Sequence, residues 1–233
     1  MRTRYVLAAL AIVLSFSGCK NDQDTAMIKG LSAEDANRLN APRSAFETAN
    51  DPPFNAETRF AAGRLAETQN AYPAAIAQYN EALKINPNYL PAMYRLAVVQ
   101  TFLKQYPQAI EAWKRYVAAS NGSADSYNDL GYTYELAGHS SEAEAAYRAG
   151  LARDPSNGPC NINLGLLLVR TDRVNEGALF LEKTLKPAEV HYNIGSVYQQ
   201  LGKKEQAIEE FRKALELDPS MKEAKARLKQ LQP

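Results

Sequence analysis

Hydrophobic and small residues return along this chain with two periods, one nested inside the other. Over short stretches they recur every three or four residues, and residues 206–217 place Ala207, Ile208, Phe211 and Ala214 on one face. Over longer stretches the whole pattern returns about every 34 residues, five times. The short period predicts amphipathic helices, and the long period predicts a stack of similar two-helix units.

The five copies have small residues at two fixed positions. Aligned on their prolines, they span 56–89, 90–123, 124–157, 158–187 and 188–221. The eighth position holds Gly63, Ala97, Gly131, Gly165 and Gly195. The twentieth holds Ala75, Ala109, Ala143, Gly177 and Ala207. We expect these positions to face each other where the paired helices cross, because larger side chains would push the helices beyond about 8–10 Å.

A large apolar residue stands at the twenty-fourth position of every copy. The set is Tyr79, Trp113, Tyr147, Leu181 and Phe211. We expect each to fill the gap between one repeat and the next. Prolines such as Pro87 predict the end of the second helix, and Gly138 and Gly202 predict a left-handed turn after the first.

Two copies depart from the pattern. The fourth lacks about four residues after Leu185, which predicts a short second helix or turn. In the second, Tyr116 replaces a small residue and Gln100 replaces an aromatic one, which predicts irregular packing. Residues 222–233 form a lysine-rich segment that predicts a polar capping helix.

With these positions in register, the chain resembles the tetratricopeptide repeat family. The fifth copy, AEVHYNIGSVYQQLGKKEQAIEEFRKALELDPSM, is similar to the family consensus along almost its whole length. The resemblance implies an all-α solenoid of five helix–turn–helix repeats with a C-terminal capping helix, wound as a right-handed superhelix. It also implies a protein-binding surface and no chemistry supplied by the architecture itself.

The first 18 residues are typical of a secretory signal peptide. Arg2 and Arg4 precede an apolar run over residues 5–16, which is too short to span a bilayer. The following Ser17-Gly18-Cys19 resembles a bacterial lipobox, although Phe16 stands where leucine is preferred. The resemblance implies lipidation of Cys19, and Lys20 favours the periplasmic face of the outer membrane. Cleavage near Ser17 without lipidation, giving a soluble periplasmic protein, is the alternative.

Residues 19–55 are predicted to form the lipidated N-terminus and a tether with short helices. The stretch 20–30 is polar, and the segments that begin at Ser32 and Ser44 have the pattern of a helix capping box. Prolines at 42, 52 and 53 would end these helices. The tether would keep the repeats close to the membrane surface.

Composition and chemistry-bearing residues point away from several function classes. The chain has 27 basic and 26 acidic residues, so no broad surface is predicted for nucleic acid. Cys160 has no partner for a disulfide if Cys19 is lipidated, and we expect it to be packed. The two histidines have no metal-ligand spacing, and catalytic motifs are missing from the sequence. No enzyme activity, metal, cofactor or small-molecule substrate is therefore predicted.

The family resemblance also implies which residues line the concave groove. First-helix positions five and nine give Phe60, Arg64, Tyr94, Val98, Asn128, Tyr132, Ile162, Leu166, Tyr192 and Ser196. Tyrosine is a good anchor for a partner because it is large, has few rotors and carries a polar tip. Family members that bind the acidic C-termini of chaperones use a clamp of lysine, asparagine and arginine side chains. Phe60 and Tyr94 stand at or beside the positions of its lysines, so the resemblance does not imply a receptor for chaperone tails.

These features predict a non-enzymatic adaptor of the bacterial envelope. It would bind one or more envelope proteins through the groove and the membrane through the lipid on Cys19. The overall plan resembles the pilotins of type IV and tight-adherence pili, lipoproteins that promote assembly of the outer-membrane secretin. Delivery of peptidoglycan hydrolases and a structural role in an envelope complex, with contacts through the convex side or the tether, are the alternatives.

Overall fold

The computed structural model of the protein describes residues 55–232, and every regular element within that range is an α-helix. The signal segment, Cys19 and all but the last residue of the proposed tether lie outside the described residues. The helices are α1 (Ala56–Thr68), α2 (Tyr72–Ile85), α3 (Leu90–Phe102), α4 (Tyr106–Ala119), α5 (Ala124–Leu136), α6 (Ser140–Arg153), α7 (Gly158–Arg170), α8 (Val174–Glu182), α9 (Pro187–Gln200), α10 (Lys204–Leu217) and α11 (Lys222–Leu231). Each predicted copy holds two of them, which we call its first and second helix. The predicted all-α solenoid is confirmed.

The turn inside each helix pair has a residue in the left-handed conformation. Gly138 and Gly202 have φ of 82° and 71°, as their sequence positions predict. The equivalent residues in the other three copies are Asn70, Lys104 and Asp172, with φ of 57°, 58° and 62°. The left-handed geometry is therefore common to all five turns, although only two of them use glycine, the residue that adopts it without strain.

The small residues at position eight make room for the large residue at position twenty-four of the same copy. A Cβ atom added to Gly131 would lie 2.6 Å from the ring of Tyr147, and one added to Gly195 would lie 2.9 Å from the ring of Phe211. Tyr147 and Phe211 are fully buried. Besides resting on the first helix of its own repeat, Tyr147 packs with Leu164, Leu167 and Leu168 of the next repeat, as expected of a residue that fills the gap between repeats.

The fourth copy keeps the two-helix plan in shortened form. Its second helix, α8, has 9 residues where the other second helices have 14, as the missing residues predict. Here the eighth and twentieth positions, where the two helices cross, are both glycine. A Cβ added to Gly177 would lie 2.6 Å from the carbonyl oxygen of Gly165. The short helix is thus packed more closely than a side chain would permit.

The second copy has the irregular packing that its sequence predicts. Tyr116 forms edge-to-face contacts with Tyr94 and Trp113, at ring-centroid distances of 5.4 and 5.8 Å. Gln100 is buried and borders a surface depression of about 440 Å³ between α2 and α4. An aromatic residue at this position, such as Tyr134 in the third copy, would have more volume to fill that space.

The last helix, α11, closes the stack with a polar outer surface. Only Ala224 is buried among its residues, and the helix packs on α10. This is the arrangement that the lysine-rich sequence predicts for a terminal cap. Within residues 55–232, no helix is long and apolar enough to cross a membrane.

Candidate functional site: a surface on the five first helices

The ten predicted groove residues lie in pairs on the five first helices, α1, α3, α5, α7 and α9. Side-chain contacts join these helices to one another. Arg95 on α3 forms a salt bridge with Glu67 on α1. On the next two helices, Asn163 Nδ2 of α7 donates to Asn128 Oδ1 of α5 at 2.8 Å. The first helices therefore present one continuous surface, which we call the groove surface and define by the ten predicted residues.

The structure divides the groove surface by exposure. Arg64, Tyr94 and Tyr132 are exposed, and the two tyrosines keep 37% and 43% of their surface accessible. Six residues are half-buried: Phe60, Val98, Asn128, Ile162, Tyr192 and Ser196. The accessible aromatic area is thus concentrated on α3 and α5, in the middle of the stack.

Leu166 is the one predicted groove residue that is buried. Only 9% of its surface is accessible, and it belongs to a core cluster with Val190 and Ile194 of α9. Its assignment to an open groove is therefore wrong at this position, because α9 covers it. Ile162 packs against the same cluster and is half-buried.

Three aromatic residues at position five pack against the large residue of their own repeat. Phe60 lies 5.7 Å from Tyr79, and Tyr192 lies 5.7 Å from Phe211, measured between ring centroids. Tyr94 lies 5.4 Å from Trp113 in an edge-to-face arrangement. These rings are held in place before any partner binds, so little conformational entropy remains to be lost on binding.

Position twelve of the first helix holds a second feature, which joins the two helices in the first three repeats. Three of the residues there accept a hydrogen bond from the large residue twelve positions later. The pairs are Tyr79 to Glu67, Trp113 to Thr101 at 3.2 Å, and Tyr147 to Glu135 at 3.1 Å. In the fourth repeat the large residue is Leu181, which has no polar tip, and position twelve is the fully buried Val169. A hydrogen-bond donor on the large residue is thus paired with a polar acceptor at position twelve, and the apolar Leu181 with the apolar Val169.

Opposite charges stabilise the two carboxylate acceptors, Glu67 and Glu135. Burial alone would raise the pKa of Glu67, but hydrogen bonds from Arg95 and Tyr79 outweigh burial and hold that pKa below its usual value. Burial and then the bond to Glu67 raise the pKa of Tyr79, so its hydroxyl remains a donor at neutral pH. Glu135 is paired in the same way with Arg170 of the next repeat. These polar groups are structural partners rather than free binding groups.

Asp129 on α5 is a groove-side residue that the sequence did not single out as a site. Its carboxylate is half-buried, and within residues 55–232 the one side-chain hydrogen bond to it comes from Asn128 Nδ2 at 3.4 Å. Burial raises the pKa of Asp129 to about 6. Its position in the repeat, equivalent to that of Arg95 in the preceding copy, was the only sequence signal for it.

Profiles of the tetratricopeptide repeat family match four stretches of this chain, residues 29–89, 60–130, 124–157 and 188–221. Together they cover most of the sequence. The chain belongs to the tetratricopeptide repeat family. The shortened fourth copy, residues 158–187, has no match of its own among these four, yet it forms the helix pair α7 and α8. The first match begins at residue 29, outside the described range.

Curated relatives of this tetratricopeptide repeat protein are distant and much longer. The general transcriptional corepressor ssn6 of Schizosaccharomyces pombe is 27% identical over 84% of this chain, which spans 15% of that protein. Tetratricopeptide repeat protein 8 of Caenorhabditis elegans is 26% identical over 65% of this chain, which spans 31% of that protein. The similarity covers the repeats and not the relatives as whole proteins.

Solved structures share the fold of this tetratricopeptide repeat protein. A MamA protein superposes with a TM-score of 0.59 and 25% identity, over 69% of this chain and 90% of MamA. YrrB, described as a repeat protein with an unusual peptide-binding site, superposes with a TM-score of 0.56 and 20% identity, over 75% of this chain and 92% of YrrB.

Membership in this family makes the chain a protein-interaction scaffold, since stacked repeats present extended surfaces to partners. Such repeat proteins are generally not enzymes. Within residues 55–232, no group of three or more His, Cys, Asp or Glu side chains could hold a metal ion. Cys160 is buried, and burial raises the pKa of its thiol to about 12, which is the state of a packed cysteine.

Proposed function

We propose that this protein is an exported, lipid-anchored adaptor of the bacterial envelope that binds a segment of a partner protein on its groove surface. The repeats supply the binding surface. The N-terminal sequence supports export and lipid anchoring, because basic residues, an apolar run and Ser17-Gly18-Cys19 follow one another in the order of a lipoprotein signal.

The observation that carries the binding proposal is the exposure of Tyr94 and Tyr132 on neighbouring first helices. Most large rings of the repeats are covered, yet these two keep 37% and 43% of their surface accessible. Tyr94 is fixed by Trp113 and Tyr116, so one of the two anchors is rigid. Rigid, partly exposed aromatic side chains in the centre of a surface are the residues that most often dominate binding energy.

Site-specific photocrosslinking in cells would test the groove surface. A crosslinking amino acid placed at Tyr132 should capture a defined partner protein, and the same amino acid at Leu179 should not. Leu179 is a matched control because it is 62% exposed but lies on the second helix α8. Capture of the same partner at Leu179 alone would contradict the groove proposal and favour binding through the second helices.

The membrane anchor needs a separate test. Replacing Cys19 with Ser should move the protein from the membrane fraction to the soluble periplasmic fraction, because the lipidated thiol is lost. Replacing the buried Cys160 with Ser is the control and should leave the fractionation unchanged. A Cys19→Ser protein that stays in the membrane fraction would contradict lipid anchoring.

A pilotin-like role is the more specific form of this proposal. The plan of a lipobox followed by a tether and a short repeat array supports it. Deleting the gene should then reduce the heat-stable multimers of the outer-membrane secretin. Normal secretin multimers together with a cell-wall defect would favour the delivery of peptidoglycan hydrolases instead.

A further inference from the structure

Asp129 is a carboxylate on the groove side that has no counterion within the described residues. It lies at the same repeat position as Arg95, and the contrast between the two is informative. Arg95 is neutralised by Glu67 of the preceding first helix. Asp129 has only the long hydrogen bond from Asn128, and no basic side chain of residues 55–232 forms an ion pair with it.

The groups around Asp129 do not compensate its charge. Asp125, one turn earlier on α5, is exposed and accepts a hydrogen bond from Asn157 Nδ2 at 2.8 Å. From α7, Cys160 contributes a neutral thiol, since its pKa is raised by burial and by nearby carboxylates that include Asp129. Tyr94 of α3 also stays neutral, because burial and then the charge of Asp129 raise its pKa. Keeping this carboxylate ionised at neutral pH is therefore unfavourable in the free protein.

Two exposed rings stand beside this carboxylate. Tyr94 is close enough to Asp129 for the charge of the carboxylate to raise its pKa. Tyr132 follows Asp129 by three residues on α5, so the two side chains are neighbours on the helix surface. A cation in this place would gain from the carboxylate and from the ring faces together, because aromatic faces attract cations. An anionic or purely apolar side chain would gain neither and would bury the carboxylate further.

We propose that the groove surface receives a lysine or arginine side chain of its partner, whose cation pairs with Asp129 between the rings of Tyr94 and Tyr132. The proposal rests on the proposed function of the groove surface and names the chemistry of its central contact. The partner segment is therefore basic at this point, and the site selects against acidic segments.

A random-sequence peptide display library selected against the full-length protein tests this proposal. The wild type should enrich peptides that carry Lys or Arg at a fixed place. Asp129→Asn should lose that enrichment, and a peptide selected on the wild type should bind it at least ~10-fold more weakly. Asp125→Asn removes the same charge from an exposed side chain one turn away, and it should keep both the enrichment and the affinity.

Replacing the basic residue of the selected peptide with norleucine completes a double-mutant cycle. The replacement should weaken binding to the wild type by about the same factor and leave binding to Asp129→Asn unchanged, because the pair is already broken. Equal losses on both proteins would overturn the pairing.

The outcomes separate this inference from the proposed function. Peptides that bind the wild type, lose affinity for Tyr132→Ala and show no basic preference would overturn the cation site and leave groove binding intact. Selected peptides that bind Tyr132→Ala and Asp129→Asn as tightly as the wild type would overturn both.

Discussion

The hydroxyl of Tyr147 donates a hydrogen bond to Oε2 of Glu135 at 3.1 Å and so joins the two helices of the third repeat. Arg170 of the fourth repeat pairs with the other carboxylate oxygen of Glu135. One acidic residue therefore links the second helix of its own repeat to the first helix of the next. Tyr79, Glu67 and Arg95 form the same three-way contact between the first and second repeats.

Removing the hydroxyl of Tyr147 should weaken this link. Tyr147→Phe keeps the buried ring and deletes the donor, and we expect the free energy of unfolding to fall by about 1–2 kcal/mol, since the acceptor is charged but still has Arg170. Urea denaturation followed by circular dichroism would measure the change.

The matched control is Tyr134→Phe, because no side-chain hydrogen bond to the Tyr134 hydroxyl occurs among the described residues. We expect a change within about 0.5 kcal/mol for this variant. Equal losses for Tyr134→Phe and Tyr147→Phe would contradict a specific role for the bond to Glu135.

A methyl group at Gly131 should be poorly tolerated. The added Cβ would lie 2.6 Å from Cε1 of Tyr147, a fully buried ring with little room to shift. We expect Gly131→Ala to lower the free energy of unfolding by about 1–3 kcal/mol through overpacking. Thermal or urea denaturation gives the measurement.

Gly158→Ala is the control for the loss of a helical glycine. Its added Cβ would approach only the methyl group of Thr184, at 3.3 Å, at the first residue of α7. We expect a change within about 0.5 kcal/mol. If the two alanine variants were equally stable, the close fit of Tyr147 onto Gly131 would not limit position eight.

The left-handed turn residues predict a pair of opposite effects. Lys104 has φ of 58° and is exposed, so Lys104→Gly should relieve backbone strain and raise the free energy of unfolding by about 0.5–1 kcal/mol after the entropy of glycine is subtracted. Gly138→Ala should lower it by about 1 kcal/mol, since no atom lies near the added Cβ and only the backbone conformation opposes it. Changes of the same sign in both variants would contradict this explanation.

The sequence predicted the fold well because its strongest signals are local. Proline and glycine determine where helices end, and helical spacing determines which face of α10 is buried, so these features can be derived without knowing the partners. The packing of Tyr147 between its own repeat and the next was predicted, and its ring does lie with Leu164 and Leu168 of the next repeat. Its close fit onto Gly131 could not be derived in this way, because it depends on the crossing geometry of two helices, which spacing alone does not give.

The candidate site was predicted less completely for the same reason. Tyr94 and Tyr132 were identified from their repeat positions, and they are exposed. Leu166 has an equivalent position but is covered by α9, because the hydrophobic residues of the fifth repeat reach it. Asp129 was missed because what distinguishes it is the lack of a counterion in the described part of the chain. Whether a carboxylate has a counterion depends on which side chains of other helices pack near it, and repeat spacing does not give that.

The unpaired carboxylate of Asp129 should make the free protein less stable at neutral pH than at moderately acid pH. Its pKa is about 6 in the folded protein and 3.8 in the unfolded reference, so the folded state binds more protons between these values. Stability therefore falls as the pH rises from about 4 to about 6, and the full penalty is present above that range. Asp129→Asn removes the penalty and should stabilise the protein by about 2–3 kcal/mol near pH 7.

The gain from Asp129→Asn should shrink as the pH falls towards 4 and disappear below it, where both states protonate the carboxyl group. Urea denaturation at a series of pH values would measure it, with Asp125→Asn as the control that removes an exposed charge and changes stability by less than about 0.5 kcal/mol. A stabilisation that persisted unchanged at pH 4 would point to packing rather than to charge. Asp129→Asn is thus expected to raise stability while weakening the binding of basic peptides, a combination typical of residues retained for function rather than for folding.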